Sequence, residues 1–224
     1  RSALLAADTA PIDALSEALA ARGLAPAPLV IPSLKDPQAS DFIRGAMMRL
    51  APAVIVTTTA FAAGGDSEAS PLYCVDAPVL QVVIATTRRA AWQESPRGLG
   101  PADLAMHVVL PELDGRVLAG AMAFKDALPK DDALAFTAFA SRPEPDRIGM
   151  VADRIAALAR LQKTQRDQRR IAVLMPDYPA AGGRAGYAVG LDVPASIVAL
   201  LADLADASYR IKDAPRSSPE LLEA

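Results

Sequence analysis

Apolar and polar positions in the first half of the chain follow two periods, one typical of helices and one of buried strands. Apolar residues in 11–22 recur at spacings of three and four, which predicts a helix that ends at Gly23. Further helical patterns cover about 36–50 and 88–94. Short apolar runs typical of buried parallel strands lie at 29–31, 53–57 and 79–84. This order predicts an α/β fold with open, mostly parallel sheets and flanking helices.

The second half of the chain repeats the beginning of such a pattern. A long helix after Asp146 leads through a polar, basic stretch at 162–170 to an apolar run at 171–175, a glycine-bearing loop and a helix from Asp192. We therefore expect a first α/β unit over 1–125, a connecting segment with the long helix over 126–168, and the incomplete start of a second α/β unit over 169–224. Because the chain begins with Arg1 in a helical pattern, we expect it to be an internal piece of a longer protein.

The segment 101–117 holds the most informative chemistry. We expect a short helix from Pro101 to His107, then a strand at 108–110 that forms a hairpin through Asp114-Gly115 with a strand over 117–124. Glu112 and Asp114 are two residues apart, so an extended backbone would send both carboxylates to one face.

Acidic oxygens held on a stiff element suit a site that handles a metal or moves a proton. The single histidine, His107, lies just before this pair and is a candidate metal ligand together with Glu112. An ordinary structural interpretation stays open for both. Asp and Gly are common residues of solvated turns, and a lone histidine beside an apolar run is often a packed residue, with no second histidine to complete a metal pair.

Arg88, Arg89 and Trp92 follow the third apolar run, where ligands bind in open α/β sheets. Paired arginines there could bind carboxylates, and the tryptophan could stack on a flat ring. The alternative is a helix start with solvated arginines and a half-buried tryptophan. The glycine loop at 182–190 matches neither the dinucleotide nor the P-loop fingerprint.

Composition narrows the class of protein. Hydrophobic residues make up 52% of the chain and charged residues 22%, which is typical of a globular protein. The net charge of −3, with no basic stripe, argues against nucleic acid as a partner. The longest uncharged stretch, 50–65, is interrupted by Pro52 and too short to span a bilayer. Together with the single cysteine, these features predict a cytoplasmic protein.

Four ordered stretches resemble the family that contains CobN and the magnesium chelatase H subunit, the large subunits of aerobic cobaltochelatase and of magnesium chelatase. They are Asp8-Thr-Ala-Pro-Ile-Asp-Ala14, Pro32-Ser-Leu-Lys-Asp36, the segment from Pro78 through Trp92 to Pro111-Glu-Leu-Asp-Gly-Arg116, and the segment from Tyr178 through Gly183-Arg184 to Gly190-Leu-Asp-Val-Pro-Ala-Ser196. Gln81-Val-Val and the Pro-Glu-Leu-Asp-Gly-Arg ending resemble the cobalt branch more than the magnesium branch.

The resemblance implies insertion of Co²⁺, the substrate metal, into hydrogenobyrinic acid a,c-diamide on the route to cobalamin. It also implies that ATP is hydrolysed by partner subunits, an AAA+ ATPase and its companion, and that tetrapyrrole and metal bind to the large subunit. Glu112 is then expected to be the catalytic carboxylate, with Asp114 as a second ligand or orienting partner. Arg88 or Arg89 would pair with peripheral carboxylates of the tetrapyrrole.

Two alternatives stay open. One is a magnesium chelatase H subunit that acts on protoporphyrin IX. The other is a non-catalytic scaffold module that docks the AAA+ subunits, in which the acidic pair is a plain turn. Burial separates the classes, because a catalytic Glu112 is expected in a cleft and a turn carboxylate in solvent.

Overall fold

The fold is that of a computed structural model, which describes residues 2–63, 70–133, 135–175, 186, 188 and 190–223. The chain forms two compact units, residues 1–159 and residues 160–224, and each is described by itself. Within the described residues, every helix is too short or too polar to cross a membrane.

The first unit is built on one four-stranded sheet. Its strands are β1 (Ile55–Thr57), β2 (Val79–Arg88), β3 (Val117–Ala127) and β4 (Phe139–Pro143), in the order β1-β2-β3-β4. β1, β2 and β3 run parallel, and β4 is antiparallel to β3. The predicted α/β class with a mostly parallel sheet is confirmed.

Helices surround this sheet. They are α1 (Ser2–Leu5), α2 (Ala10–Ala20), α3 (Pro37–Leu50), α4 (Arg89–Glu94), α5 (Pro101–Leu104), α6 (Leu110–Glu112) and α7 (Pro145–Lys163). Local chemistry sets their ends. The Asp36 carboxylate caps α3 by accepting a hydrogen bond from the Ala39 N–H at 2.8 Å, and Pro37 occupies the first turn, where its missing N–H costs nothing.

The central strand β2 is buried on both faces, which explains its continuous apolar sequence. Leu80 and Val82 face α2 and α7, against a core that includes Leu15, Val151 and Ile155.

Residues that alternate with Leu80 and Val82 along β2 face the other side of the sheet. Val79 packs with Ile43 and Met47 of α3, and Val83 and Ala85 pack with Phe124, Trp92, Leu99 and Val108. The connection between β2 and β3 therefore covers one face of the sheet.

That connection differs from the predicted hairpin, which is wrong. Residues 101–112 form a continuous helical segment, in which α5 and α6 flank one π-helical stretch, Ala105–Val109. The apolar run at 108–110 is helical because β3 pairs parallel to β2, and parallel neighbours need a crossover instead of a tight hairpin. Periodicity alone cannot separate a short buried strand from a buried helical turn. We call residues 101–112 the crossover helix.

Two further strand predictions are also wrong. Residues 29–31 are an irregular segment, and Leu29 and Ile31 pack at the edge of the α3 core. In the second unit, 171–175 is irregular and largely exposed, with Leu174 at 88%. An apolar run becomes a strand only through a pairing neighbour, and the described residues place no strand beside either run.

The second unit contains a 3-10 turn, Arg166–Gln168, and the helices α8 (Val193–Asp206) and α9 (Ser218–Glu223). Asp192 caps α8 through the Ala195 N–H at 3.0 Å, with Pro194 in the first turn, as the sequence predicts. Gly182 and Gly183 of the predicted loop lie outside the described residues.

Candidate functional site

The crossover helix ends at Glu112, and its side chain is exposed. The chain then turns through Leu113 to Gly115, whose N–H donates to the Glu112 carbonyl at 2.8 Å. Gly115 has φ +77°, a left-handed conformation that a residue with a side chain rarely adopts. Because the backbone from 110 to 115 is helical and then turned, it does not send Glu112 and Asp114 to one face, and this expectation from an extended strand is corrected.

Asp114 points inward instead. Its side chain is 5% exposed and accepts hydrogen bonds from Arg116 Nη2 and from the Ala63 N–H, both at 2.6 Å. The Arg116 side chain is fully buried. Two buried opposite charges in direct contact fix the turn strongly, since either one left alone would be an uncompensated buried charge.

Arg116 extends this pair into a network across three segments. Its Nη1 donates to the Thr59 carbonyl at 3.0 Å and to Gln81 Oε1 at 3.2 Å. Gln81 in turn donates through Nε2 to the same Thr59 carbonyl at 3.2 Å. The segment after β1, the middle of β2 and the turn after Glu112 are therefore held together. We call Asp114, Arg116, Gln81 and Thr59 the buried anchor.

Tyr73 borders the same turn from the segment before β2. Its hydroxyl oxygen would be 3.4 Å from a Cβ placed on Gly115, so a side chain there would touch the phenol. Burial raises the pKa of Tyr73, the positive charge of Arg116 lowers it, and the negative charge of Asp114 raises it again. The pKa of Tyr73 is raised on balance, so the phenol keeps its proton at neutral pH.

A second buried carboxylate holds the other end of the crossover helix. Asp103 is 1% exposed and accepts hydrogen bonds from the N–H and the hydroxyl of both Thr86 and Thr87, at 2.5 to 2.8 Å. Burial of Asp103 raises its pKa, but the four hydrogen bonds together outweigh burial, and the pKa is lowered. Asp103 therefore stays ionised and ties the start of the helix to the end of β2.

His107 lies on the buried side of the crossover helix, in its π-helical stretch. Its Nε2 is 3.9 Å from Asp103 Oδ1, and its Nδ1 is buried without a hydrogen-bond partner among the described residues. Burial lowers the pKa of His107, and attraction to Asp103 opposes this. The lowered pKa keeps the imidazole neutral at pH 7.

The predicted site residues near α4 differ in how strongly they interact with other side chains of the protein. Arg89 forms a two-pronged ion pair with the buried Glu144, through Nε to Oε1 and through Nη2 to Oε2 at 3.1 Å. This hydrogen bonding raises the pKa of Arg89, although desolvation opposes it. Arg88 is exposed, and its guanidinium lies 4.8 Å from the ring centre of Phe139.

Trp92 is half-buried and stacks on Phe124, with ring centres 4.1 Å apart. The guanidinium of Arg147 covers its ring at 5.2 Å. The indole therefore contacts both an aromatic ring and a guanidinium of the protein.

The structure brings Asp114 to Arg116 and His107 to Asp103, but it separates the exposed Glu112 from both pairs. Among the described residues, no group of three or more His, Cys, Asp or Glu side chains could hold a metal ion.

Beyond Asp114, the residues of the buried anchor are not predicted as site residues by the sequence pattern. The one signal for it is a charged residue, Arg116, placed directly before the apolar strand β3, where only a buried partner makes arginine tolerable.

The fold and these clusters define an α/β protein. Its candidate site is the exposed Glu112 carboxylate, beside a turn that the buried anchor holds in place. A solved structure, the catalytic subunit of cobaltochelatase from Mycobacterium tuberculosis, is similar to the whole chain with a TM-score of 0.80 and 30% identity, and the chain covers 19% of it. The family model described as CobN/Magnesium Chelatase matches residues 1–224. The chain belongs to this family, and the predicted resemblance is confirmed.

Curated relatives agree with this assignment. The aerobic cobaltochelatase subunit CobN of Sinorhizobium sp. is 36% identical over 99% of the chain, and CobN of Pseudomonas aeruginosa is likewise 36% identical. The magnesium-chelatase H subunit of Rhodobacter capsulatus is 29% identical over the whole chain. The chain spans 18% of the length of the two CobN relatives and 20% of this magnesium-chelatase relative.

Proposed function

We propose that this chain is part of the large subunit of a metal chelatase and that Glu112 is the carboxylate that assists insertion of a divalent cation into a tetrapyrrole. The observation that carries this proposal is the contrast within one turn. Glu112 is exposed at the end of the crossover helix, while its neighbour Asp114 is buried in an ion pair that holds the turn in place. An exposed carboxylate on a rigid support is available to a ligand without first losing a protein partner.

The chemistry requires two events, and a carboxylate serves both. The incoming cation must lose water, and the Glu112 carboxylate can replace one of the departing water molecules as an oxygen ligand. Ring nitrogen must also lose its N–H proton as the cation enters. Glu112 can accept a proton from ring nitrogen and release it to solvent, so that it returns to its ionised form. Asp114 acts here as the orienting partner through the buried anchor, rather than as a second ligand.

The finer assignment is to cobalt. The identity of 36% to two CobN relatives, against 29% to the magnesium-chelatase relative, supports Co²⁺ as the substrate metal. The tetrapyrrole would be hydrogenobyrinic acid a,c-diamide, and ATP would be hydrolysed by an AAA+ partner and its companion subunit in the cytoplasm.

Arg88 is the better candidate of the two arginines for a peripheral carboxylate of the tetrapyrrole. It is exposed, whereas Arg89 already holds the buried Glu144. For Arg89 and Trp92, these contacts support a positioning role. His107 stays a predicted metal ligand, but its burial beside Asp103 gives more support to a packing role.

A second candidate function has a specific observation in its favour. Glu112 is exposed, as expected of a plain turn carboxylate and not of a catalytic carboxylate in a cleft. The unit would then be a scaffold that docks the AAA+ subunits. On the chelatase proposal, the cleft around Glu112 is completed by parts of the large subunit beyond this chain.

The test is cobalt insertion by the full-length subunit with its ATPase partners, comparing wild type with Glu112→Gln. Glu94→Gln is the matched control, because Glu94 is also an exposed glutamate at the last position of a helix. We expect Glu112→Gln to keep tetrapyrrole binding and to lose insertion, while Glu94→Gln keeps both. Unchanged insertion in Glu112→Gln would leave the scaffold function in its place.

A further inference from the structure

We infer that Tyr73 is a positioning residue for Glu112, because its hydroxyl is placed to donate a hydrogen bond that orients the Glu112 carboxylate. This inference rests on the proposed function and adds to it a residue from outside both the crossover helix and the buried anchor.

The segment before β2 holds Tyr73 in a fixed place. Tyr73 ends a short 3-10 turn, Pro71–Tyr73, and its N–H donates to the Ser70 carbonyl at 3.1 Å. Ser70 is 4% exposed, and Leu72 packs in the core beside α3. Tyr73 itself is 40% exposed. The backbone is therefore anchored by buried neighbours, while part of the phenol remains accessible to solvent.

The Tyr73 hydroxyl lies against the turn that follows Glu112. Its oxygen would be 3.4 Å from a Cβ on Gly115, and the N–H of Gly115 donates to the Glu112 carbonyl at 2.8 Å. The phenol is also close enough to Arg116 and Asp114 for both charges to act on its pKa. The hydroxyl is therefore beside the backbone that carries Glu112, and the exposed Glu112 side chain can rotate toward it.

The Tyr73 hydroxyl has unused hydrogen-bonding capacity. Arg116 and Asp114 act on it through their charges, and no hydrogen bond joins it to any of the described residues. Because the pKa of Tyr73 is raised, the phenol keeps its proton and can donate at neutral pH. Asp114 already accepts hydrogen bonds from Arg116 and Ala63. Glu112 is therefore the carboxylate of this turn that remains for the phenol.

A hydrogen bond from Tyr73 would serve insertion by directing the Glu112 carboxylate. When the phenol holds one carboxylate oxygen, the other oxygen is left for the incoming cation or for a ring N–H. Tyr73 keeps its proton throughout and does not itself contact the ring. Without the hydroxyl, Glu112 is still ionised but samples more orientations, so the rate of insertion falls and binding of the tetrapyrrole does not.

The experiment is a double-mutant cycle on the full-length subunit with its ATPase partners, measured as the single-turnover rate of Co²⁺ insertion. The variants are Tyr73→Phe, Glu112→Gln and the two changes combined. Tyr73→Phe keeps the ring and removes only the hydroxyl. Tyr209→Phe is the matched control, because it removes a phenol hydroxyl that is bonded to Arg169 in the second unit.

We expect Tyr73→Phe to lower the rate about tenfold, the loss of one hydrogen bond to a charged group. The Kd for the tetrapyrrole should stay within about twofold of wild type, and the melting temperature should not change. In the Glu112→Gln background the same change should alter the rate by less than about twofold, because no carboxylate remains to be oriented. Tyr209→Phe should insert Co²⁺ at the wild-type rate.

Each other outcome overturns the inference in a distinguishable way. An unchanged rate in Tyr73→Phe, with insertion still lost in Glu112→Gln, removes the role of Tyr73 and leaves the proposed function intact. Equal losses of rate in both backgrounds mean that Tyr73 acts independently of Glu112. A raised Kd or a lower melting temperature in Tyr73→Phe replaces positioning with a binding or packing role. Normal insertion in Glu112→Gln removes the proposed function, and this role of Tyr73 with it.

Discussion

The turn after the crossover helix and the start of α4 both carry charged residues of the predicted site, but they use them differently. In the turn, Asp114 is buried against Arg116, and Glu112 remains in solvent. At α4, Arg89 is held by Glu144, and Trp92 contacts Phe124 and Arg147. A side chain with buried partners must lose them before it binds a ligand. In the turn, the supporting residue and the residue proposed for chemistry are therefore different side chains, whereas most of α4 is support.

The largest expected effect comes from breaking the support of the turn. Asp114→Ala leaves Arg116 buried without its carboxylate, which should lower the free energy of unfolding by about 3–5 kcal/mol. Urea unfolding of the chain measures this. Glu112→Ala is the control, and for this exposed residue we expect a change within about 0.5 kcal/mol. Equal losses of unfolding free energy in the two variants would contradict the assignment of support to Asp114 alone.

The next effect concerns Asp103 and acid. Asp103→Asn weakens the hydrogen bonds from Thr86 and Thr87, at a cost of about 1–3 kcal/mol at neutral pH. Because the folded pKa of Asp103 is lowered, its contribution is present above the unfolded pKa of about 3.9 and is lost as pH falls through the folded value. The variant should therefore show a smaller loss of stability than wild type between neutral pH and strongly acidic pH. Equal losses of stability in wild type and variant over this pH range would show that protonation of Asp103 does not affect folding.

A smaller effect with the same direction is expected from His107. Its folded pKa is lowered, so the unfolded chain binds the proton first, and stability falls as pH drops below the unfolded pKa of about 6.5. His107→Gln removes this titration and should flatten the stability curve between pH 7 and pH 5. Thermal melts at a series of pH values measure it. An unchanged slope would mean that the buried imidazole does not titrate in this range.

The smallest effect concerns the contrast between Arg88, at the end of β2, and Arg89, at the start of α4. Arg88→Ala should raise the Kd of the full-length subunit for the tetrapyrrole by up to about fivefold, since an exposed ion pair contributes at most about 1 kcal/mol. Its melting temperature should stay at the wild-type value, whereas Arg89→Ala should lower the melting temperature because Glu144 loses its partner. The opposite pattern, with binding lost only in Arg89→Ala, would move the ligand contact to the ion pair.

The sequence correctly predicts those elements whose pattern of residues fits only one kind of secondary structure. β2 is apolar along its length because both of its faces are covered, and α3 has an aspartate cap followed by proline. At 108–110 the pattern predicts a strand where the crossover helix lies, because three apolar residues in a row fit either element. Parallel pairing of β2 with β3 decides between them, and this pairing is a long-range fact that no local pattern contains.

The site is predictable only in part for the same reason. The segment containing Glu112 and Asp114 stands out in the sequence, but their opposite orientations depend on Arg116, Gln81 and Thr59, which meet only in the folded sheet. Likewise, nothing near Arg89 in sequence indicates that Glu144, 55 residues away, binds its guanidinium.

Glu112 is proposed to perform the chemistry of metal insertion on a support that Asp114 provides. The most direct test is the single-turnover rate of cobalt insertion by the full-length subunit with its ATPase partners, at saturating tetrapyrrole and Co²⁺, in Glu112→Gln. Loss of a general base or transient ligand predicts a rate lowered by about 10²–10⁴ with an unchanged melting temperature. A rate within about twofold of wild type would contradict the claim and make this turn part of a scaffold.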